Sequence, residues 1–147
     1  MSQTLSLRLP DELIERIDRF ARRLGNGMTR SRASVILIDE ALREEEFRGI
    51  EFRNTAIGRL PFVKHSGMAV WEYIMIARRF DMDADRISAH LEQPVEWAKA
   101  ALNYYAAYPD EIDRTIKDNS YGEERLKRLF PNLHVFEVPA DSGEATA

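Results

Sequence analysis

Cysteine is absent from this chain of 147 residues. That excludes a disulfide framework, a cysteine-ligated zinc site and a thiol nucleophile. Glycine occurs seven times, never in a phosphate-cradling loop or a G-x-S-x-G elbow. Histidine is equally scarce: His65, His90 and His134 stand in no H-x-x-x-H or H-E-x-x-H spacing and read as surface or partly packed side chains. Asp81, Asp83 and Asp85 lack the glycine and closing glutamate of an EF-hand, and helix capping accounts for them better. No apolar run approaches the ~20 residues that span a bilayer. Arg8, Asp11 and Glu12 interrupt any signal-peptide core. These absences lead to the expectation of a cytoplasmic protein with no membrane contact, no catalytic residues, no metal and no cofactor.

What is present is unevenly distributed. The formal net charge is −4, with 44% hydrophobic and 31% charged residues, enough apolar material for one ordinary domain or two small ones. Through Ser34 there are seven arginines (8, 16, 19, 22, 23, 30 and 32) against Asp11, Glu12, Glu15 and Asp18, a balance of +3 that leaves −7 for the remainder. Every cation in that stretch is arginine, the side chain suited to phosphate and guanine. Such asymmetry points to a nucleic-acid face on an acidic body, although a solvated charged helix gives similar counts.

Polar and apolar residues alternate from 4 to 9. Leu5, Leu7 and Leu9 point one way and Thr4, Ser6 and Arg8 the other, which is the period of a half-buried strand. Pro10 then opens a helix with Asp11 and Glu12 in its first turn, and Leu13, Ile14, Ile17, Phe20, Ala21 and Leu24 make its apolar face. Gly25, Asn26 and Gly27 stop it. MTRSRAS starts a second helix, with Thr29 or Ser31 as cap, and ASVILIDEAL is apolar almost all round. Nothing nearby supplies a second strand, and one strand plus one helix cannot surround the second helix. A symmetric dimer solves both problems: two strands pair antiparallel across the two-fold axis and the second helices pack in the centre.

The ordered set in TLSLRLPDELIERIDRFARRLGNGMTRSRASVILIDEAL resembles the ribbon-helix-helix superfamily of DNA-binding repressors (Arc, MetJ and CopG type) over residues 4–46. The resemblance implies a two-stranded ribbon in the major groove, with Thr4, Ser6 and Arg8 of both subunits reaching base edges. It also implies that Thr29, Arg30 and Ser31 hold a phosphate at the start of the second helix. Capping alone also explains Thr29 and Ser31.

Beyond the charged run EEEFR, Ile50 and Phe52, then Leu60, Phe62 and Val63, read as two short strands flanking a turn at 54–58. Four helices follow: one over Met68, Val70, Trp71, Ile74, Met75 and Phe80; MDADRISAHL, capped near Asp83; EQPVEWAKAALNYYAAYP, with Pro94 early and Pro109 at its end; and DEIDRTIKDN. Short helix, turn and longer helix is the rhythm of a helix-turn-helix. Residues 49–119, above all ALNYYAAYPDEID, resemble a small antitoxin-associated domain of unknown function, number four-three-three in its series. That family implies a neighbouring toxin of the PIN-like nuclease type and assigns no catalytic residue. In the tail, Leu129, Phe130 and Phe136 are candidate partner-binding side chains, because apolar surface of this kind marks a binding site unless it folds back. From Asp141 on, the composition predicts disorder.

The expected fold is mainly α. A ribbon-helix-helix dimerisation and DNA-binding domain (1–48) precedes a small β-hairpin and helical, helix-turn-helix-like domain (49–120) and a tail (121–147). The expected function is a type II antitoxin: a homodimer, open to higher association, that binds operator DNA, represses its operon and neutralises a cognate toxin. Two alternatives remain: a ribbon-helix-helix regulator without a toxin, whose second domain senses a ligand or reads DNA, and an interaction module whose ribbon no longer reads DNA.

Overall fold

The computed structural model describes the backbone over residues 1–129 and side chains over residues 1–120. Residues 1–10 carry no regular secondary structure in the single chain. The alternation seen there is that of a strand, and a strand is completed only by a neighbour that pairs with its backbone.

Helix α1 (Asp11–Leu24) begins where Pro10 presets the backbone; the Pro10 carbonyl accepts from Leu13 and Ile14 N–H at 3.0 and 3.1 Å. Asp11 and Glu12 in the first turn and Arg22 and Arg23 in the last complement its macrodipole. Gly25, at φ 66°, ends it. Helix α2 (Arg30–Glu46) is capped by Thr29, whose hydroxyl accepts from Arg32 N–H at 3.2 Å. Ile17, Ala21 and Ala33 are the buried centre between the two helices, with Leu9, Leu13, Phe20, Met28 and Leu37 packed around them.

Strands β1 (Ile50–Thr55) and β2 (Gly58–Val63) form an antiparallel hairpin pairing Ile50 with Val63 and Thr55 with Gly58. Phe52 sits opposite Pro61 and points its N–H away from the ladder, to the Glu44 carboxylate at 3.0 Å. Pro61 therefore occupies a non-hydrogen-bonded position and costs the sheet no bond. Helices α3 (Val70–Arg79), α4 (Ala84–Leu91), α5 (Val95–Ala107) and α6 (Pro109–Leu129) complete the chain as described. The larger core lies among them, where Ile50, Tyr73, Ile74, Ile87, Tyr104 and Ile112 are sealed from water. The α3–α4 turn places Asp81 and Met82 consecutively in the left-handed region, and Asp83 caps α4 by accepting from Arg86 N–H at 3.0 Å.

The architecture is mainly helical with one two-stranded sheet among the described residues. No described helix is long and apolar enough to cross a membrane. One boundary is corrected. The sequence pattern ends the last helix near residue 119, whereas α6 continues to Leu129 through Gly122. A helical glycine costs about 1 kcal/mol relative to alanine, and the helix formers Glu123, Glu124, Arg125, Leu126 and Lys127 offset it.

Candidate nucleic-acid interface

Thr4, Ser6 and Arg8 are exposed, as is every residue from 1 to 8. Their apolar alternates are uncovered as well, Leu5 at 77% and Leu7 at 58% of full exposure, while Leu9 is half-buried against the small cluster. On α2 the same condition recurs at helical spacing: Val35, Ile38 and Leu42 are 66%, 49% and 58% exposed. These lie at i, i+3 and i+7, one stripe along the helix. The opposite side of α2 carries Ala33, Leu37 and Glu40, which pack inward.

The start of α2 is rearranged relative to the sequence expectation. Thr29, rather than Ser31, is the cap; Ser31 is exposed beside Arg32, Val35 and Ile36. Arg30 forks onto Asp18 of α1, with Nε to Oδ1 and Nη2 to Oδ2 both at 2.8 Å. That bidentate bond holds the Asp18 carboxyl below its ordinary range and pushes the Arg30 guanidinium up. The charge expected to meet a phosphate is thus already engaged by a carboxylate. Sequence spacing could not reveal this, because residues 18 and 30 meet only once both helices are folded together.

Glu40, Arg43 and Glu44 on α2 grip the rest of the chain. Arg59 of β2 forks onto Glu40 at 3.1 and 2.6 Å, and its guanidinium lies 5.4 Å from the centre of the Phe20 ring. Arg43 donates to Tyr104 at 2.8 Å and to Glu111 at 2.6 Å, and Tyr104 donates to Glu111 at 2.8 Å, closing a triangle. Burial opposes charge on Arg43, yet its bonds to Glu111 and Tyr104 hold it protonated, above the ordinary range. Burial and then the Glu111 acceptor push the Tyr104 phenol up. The Arg43 guanidinium also lies 3.9 Å from the centre of the Tyr108 ring. Gly49 lies in the short joint between α2 and β1, immediately before Ile50, and an added Cβ there would stand 2.7 Å from the Cβ of Ala100 on α5.

The candidate partner-binding side chains fall elsewhere. Leu129 is the last residue of α6 and its side chain is outside the described set; Phe130 and Phe136 lie outside the described residues altogether. The aromatic group on and just after α5 divides by depth, Tyr104 fully buried and Trp97, Tyr105 and Tyr108 half-buried around it. His90 packs on Phe80 with centroids 4.8 Å apart, and His65 is exposed. Comparison of the chain with protein-family models, with curated proteins and with solved structures finds no match.

Proposed function

We propose that this chain is the antitoxin of a type II toxin–antitoxin pair, a homodimer that binds operator DNA, represses its own operon and neutralises a cognate PIN-like nuclease toxin by direct binding. One observation carries the dimeric, DNA-binding part. Leu5 and Leu7 before α1, and Val35, Ile38 and Leu42 on α2, are uncovered in one chain. A second copy covers both sets at once: the two N-terminal segments pair as an antiparallel ribbon and the two α2 stripes pack across the axis. Thr4, Ser6 and Arg8 then line the outer face of a ribbon of the size that enters the major groove.

The energetics allow it. Full burial of an aliphatic side chain is worth about 1.5–3 kcal/mol, so these five, a half to three-quarters exposed, contribute about 5 kcal/mol per protomer and about 10 per dimer. Association costs about 4–15 kcal/mol, so half-buried Ile36 and Leu37 and the ribbon's backbone bonds have to add to the total. The toxin-neutralising part rests on the resemblance of residues 49–119 to antitoxin-associated domains. The acidic balance beyond Ser34 complements the basic groove a nuclease needs.

A regulator without a toxin is the second reading. It is favoured by a cleft of about 500 Å3 where the joint between α2 and β1 meets α5, lined in part by Phe47, Arg48, Ile50, Lys99 and Asn103, large enough for a small ligand.

The test combines oligomeric state with DNA readout. Leu7→Asp puts a charge into the proposed ribbon core and should yield monomers by light scattering; a dimer that survives it refutes this packing. Arg8→Ala should reduce discrimination between the upstream DNA of its own gene and random duplex by about 1–3 kcal/mol. Equal losses on both DNAs would mean that Arg8 reads no base. For the antitoxin part, the product of an adjacent reading frame should co-purify with the chain and lose its growth inhibition in the chain's presence.

A further inference from the structure

We infer that Arg19, Arg22 and Arg23 form a clamp for the phosphodiester backbone of duplex DNA flanking the ribbon, supplying the anion-binding charge that Arg30 has given up to Asp18. The inference rests on the DNA-binding reading and names the residues that would set its affinity.

Arg19, Arg22 and Arg23 line one concavity on the C-terminal half of α1, with no other described residue contributing to its wall. All three side chains are exposed, and none forms an ion pair with a carboxylate among the described residues. The charge of Arg22 reaches Asp18 only as a longer-range field. Glu15 stands one helical turn before Arg19, where an i,i+4 pair could form, and does not bond to it. Complementing the α1 macrodipole accounts for Arg22 and Arg23 in the last turn. It does not account for Arg19 or for the shared concavity.

Position selects the ligand. The Asp18–Arg30 fork pins this part of α1 to the first residue of α2, which brings Arg22, one turn beyond Asp18, to the side of the helix start where a phosphate is expected, with Arg19 and Arg23 extending the charge along α1. Arg19 and Arg22 are one and four residues from Asp18 in the same helix. An anion there meets three guanidiniums, none of them ion-paired among the described residues, while Ser31 and Arg32 line a separate concavity at the start of α2. Arginine at every position, with no lysine in the first 34 residues, suits the forked geometry of phosphate oxygens.

The experiment uses the full-length protein and its Arg19→Gln/Arg22→Gln/Arg23→Gln variant, with circular dichroism to verify the fold. Binding to a random duplex and to the gene's own upstream DNA is measured by fluorescence anisotropy between about 50 and 200 mM salt. Each neutralised phosphate adds about 0.9 to the slope of log affinity against log salt, so losing six arginines per dimer should flatten it by about 5 on both DNAs. The ratio between the two DNAs should stay unchanged, and an Arg→Lys triple variant should retain most of the slope. An unchanged slope in the glutamine variant, with wild type binding steeply, overturns the clamp and leaves the DNA-binding reading standing. Failure of the wild type to bind any duplex overturns both. Polyglutamate is the control anion: competition equal to that of duplex at matched charge would reassign the site to an acidic protein segment and overturn the inference.

Discussion

Gly49→Ala should loosen the joint between α2 and the helices beyond it, and the loss should be recoverable from the other side of the contact. The new methyl would sit 2.7 Å from the Cβ of Ala100, whereas carbon atoms pack best at about 3.5–4.0 Å. Neither methyl has a rotamer that moves it aside, so about 1 Å has to come from the backbone of α5 or of the joint. Overpacking of this kind costs about 1–3 kcal/mol. Alanine in place of glycine restricts the unfolded chain and returns about 0.4–1 kcal/mol. The net expectation is a loss of about 1–2 kcal/mol. Ala100→Gly alone should cost about 1 kcal/mol as a glycine inside a helix. With both changes the clash is gone, and the double variant should lie within about 1 kcal/mol of wild type rather than at the sum of the two losses. Urea unfolding followed by circular dichroism measures all four corners of the cycle, in which independent sites add within about 0.5 kcal/mol. Strict additivity, or a neutral Gly49→Ala, would refute the close approach of this joint to α5.

Two further perturbations address ionic contacts. Arg59→Met strands the Glu40 carboxylate, whose side chain is only 10% exposed, and should cost about 3–5 kcal/mol, with most of it restored when Glu40→Leu is added; an equal loss in the double variant would show that the cost is packing rather than unpaired charge. For the Asp18–Arg30 fork the pH dependence has a definite sign. The Asp18 carboxyl titrates below its ordinary value of 3.8 in the fold, so its contribution is present above that value and is lost as pH falls through the depressed one. Asp18→Asn should therefore flatten the acid limb of the stability curve below about pH 5 and leave the neutral limb parallel to wild type, and an acid limb that keeps its full slope would show that other carboxyls set it.

The helix limits were legible because single residues impose them: Pro10 and Pro94 preset helix starts, Thr29 and Asp83 cap them, and Gly25 takes the left-handed turn. The hairpin was legible from alternating apolar residues around Gly58. The pairings between distant residues were not. Arg59 with Glu40, Arg43 with Glu111 and Arg30 with Asp18 join residues 19, 68 and 12 positions apart, and no periodicity in a single sequence encodes which opposite charges meet. The closeness of Gly49 to Ala100 appears only when α5 is in place. The extension of α6 past Gly122 is not marked in the sequence pattern, because a glycine there reads as a stop while the five helix formers after it carry the helix on.

Helix α2 is held by ionic contacts on one side and bears an uncovered apolar stripe on the other. In a dimer built on that stripe, the two copies of residues 49–120 are not tethered by linkers. Each would be a strut of one frame, because Glu40, Arg43 and Glu44 fix it to the helix that lies on the axis. Whatever docks on them is presented twice at a spacing that the frame sets. A ligand with two matching sites at that spacing would gain avidity with almost no loss of linker entropy, and one with the wrong spacing would gain none.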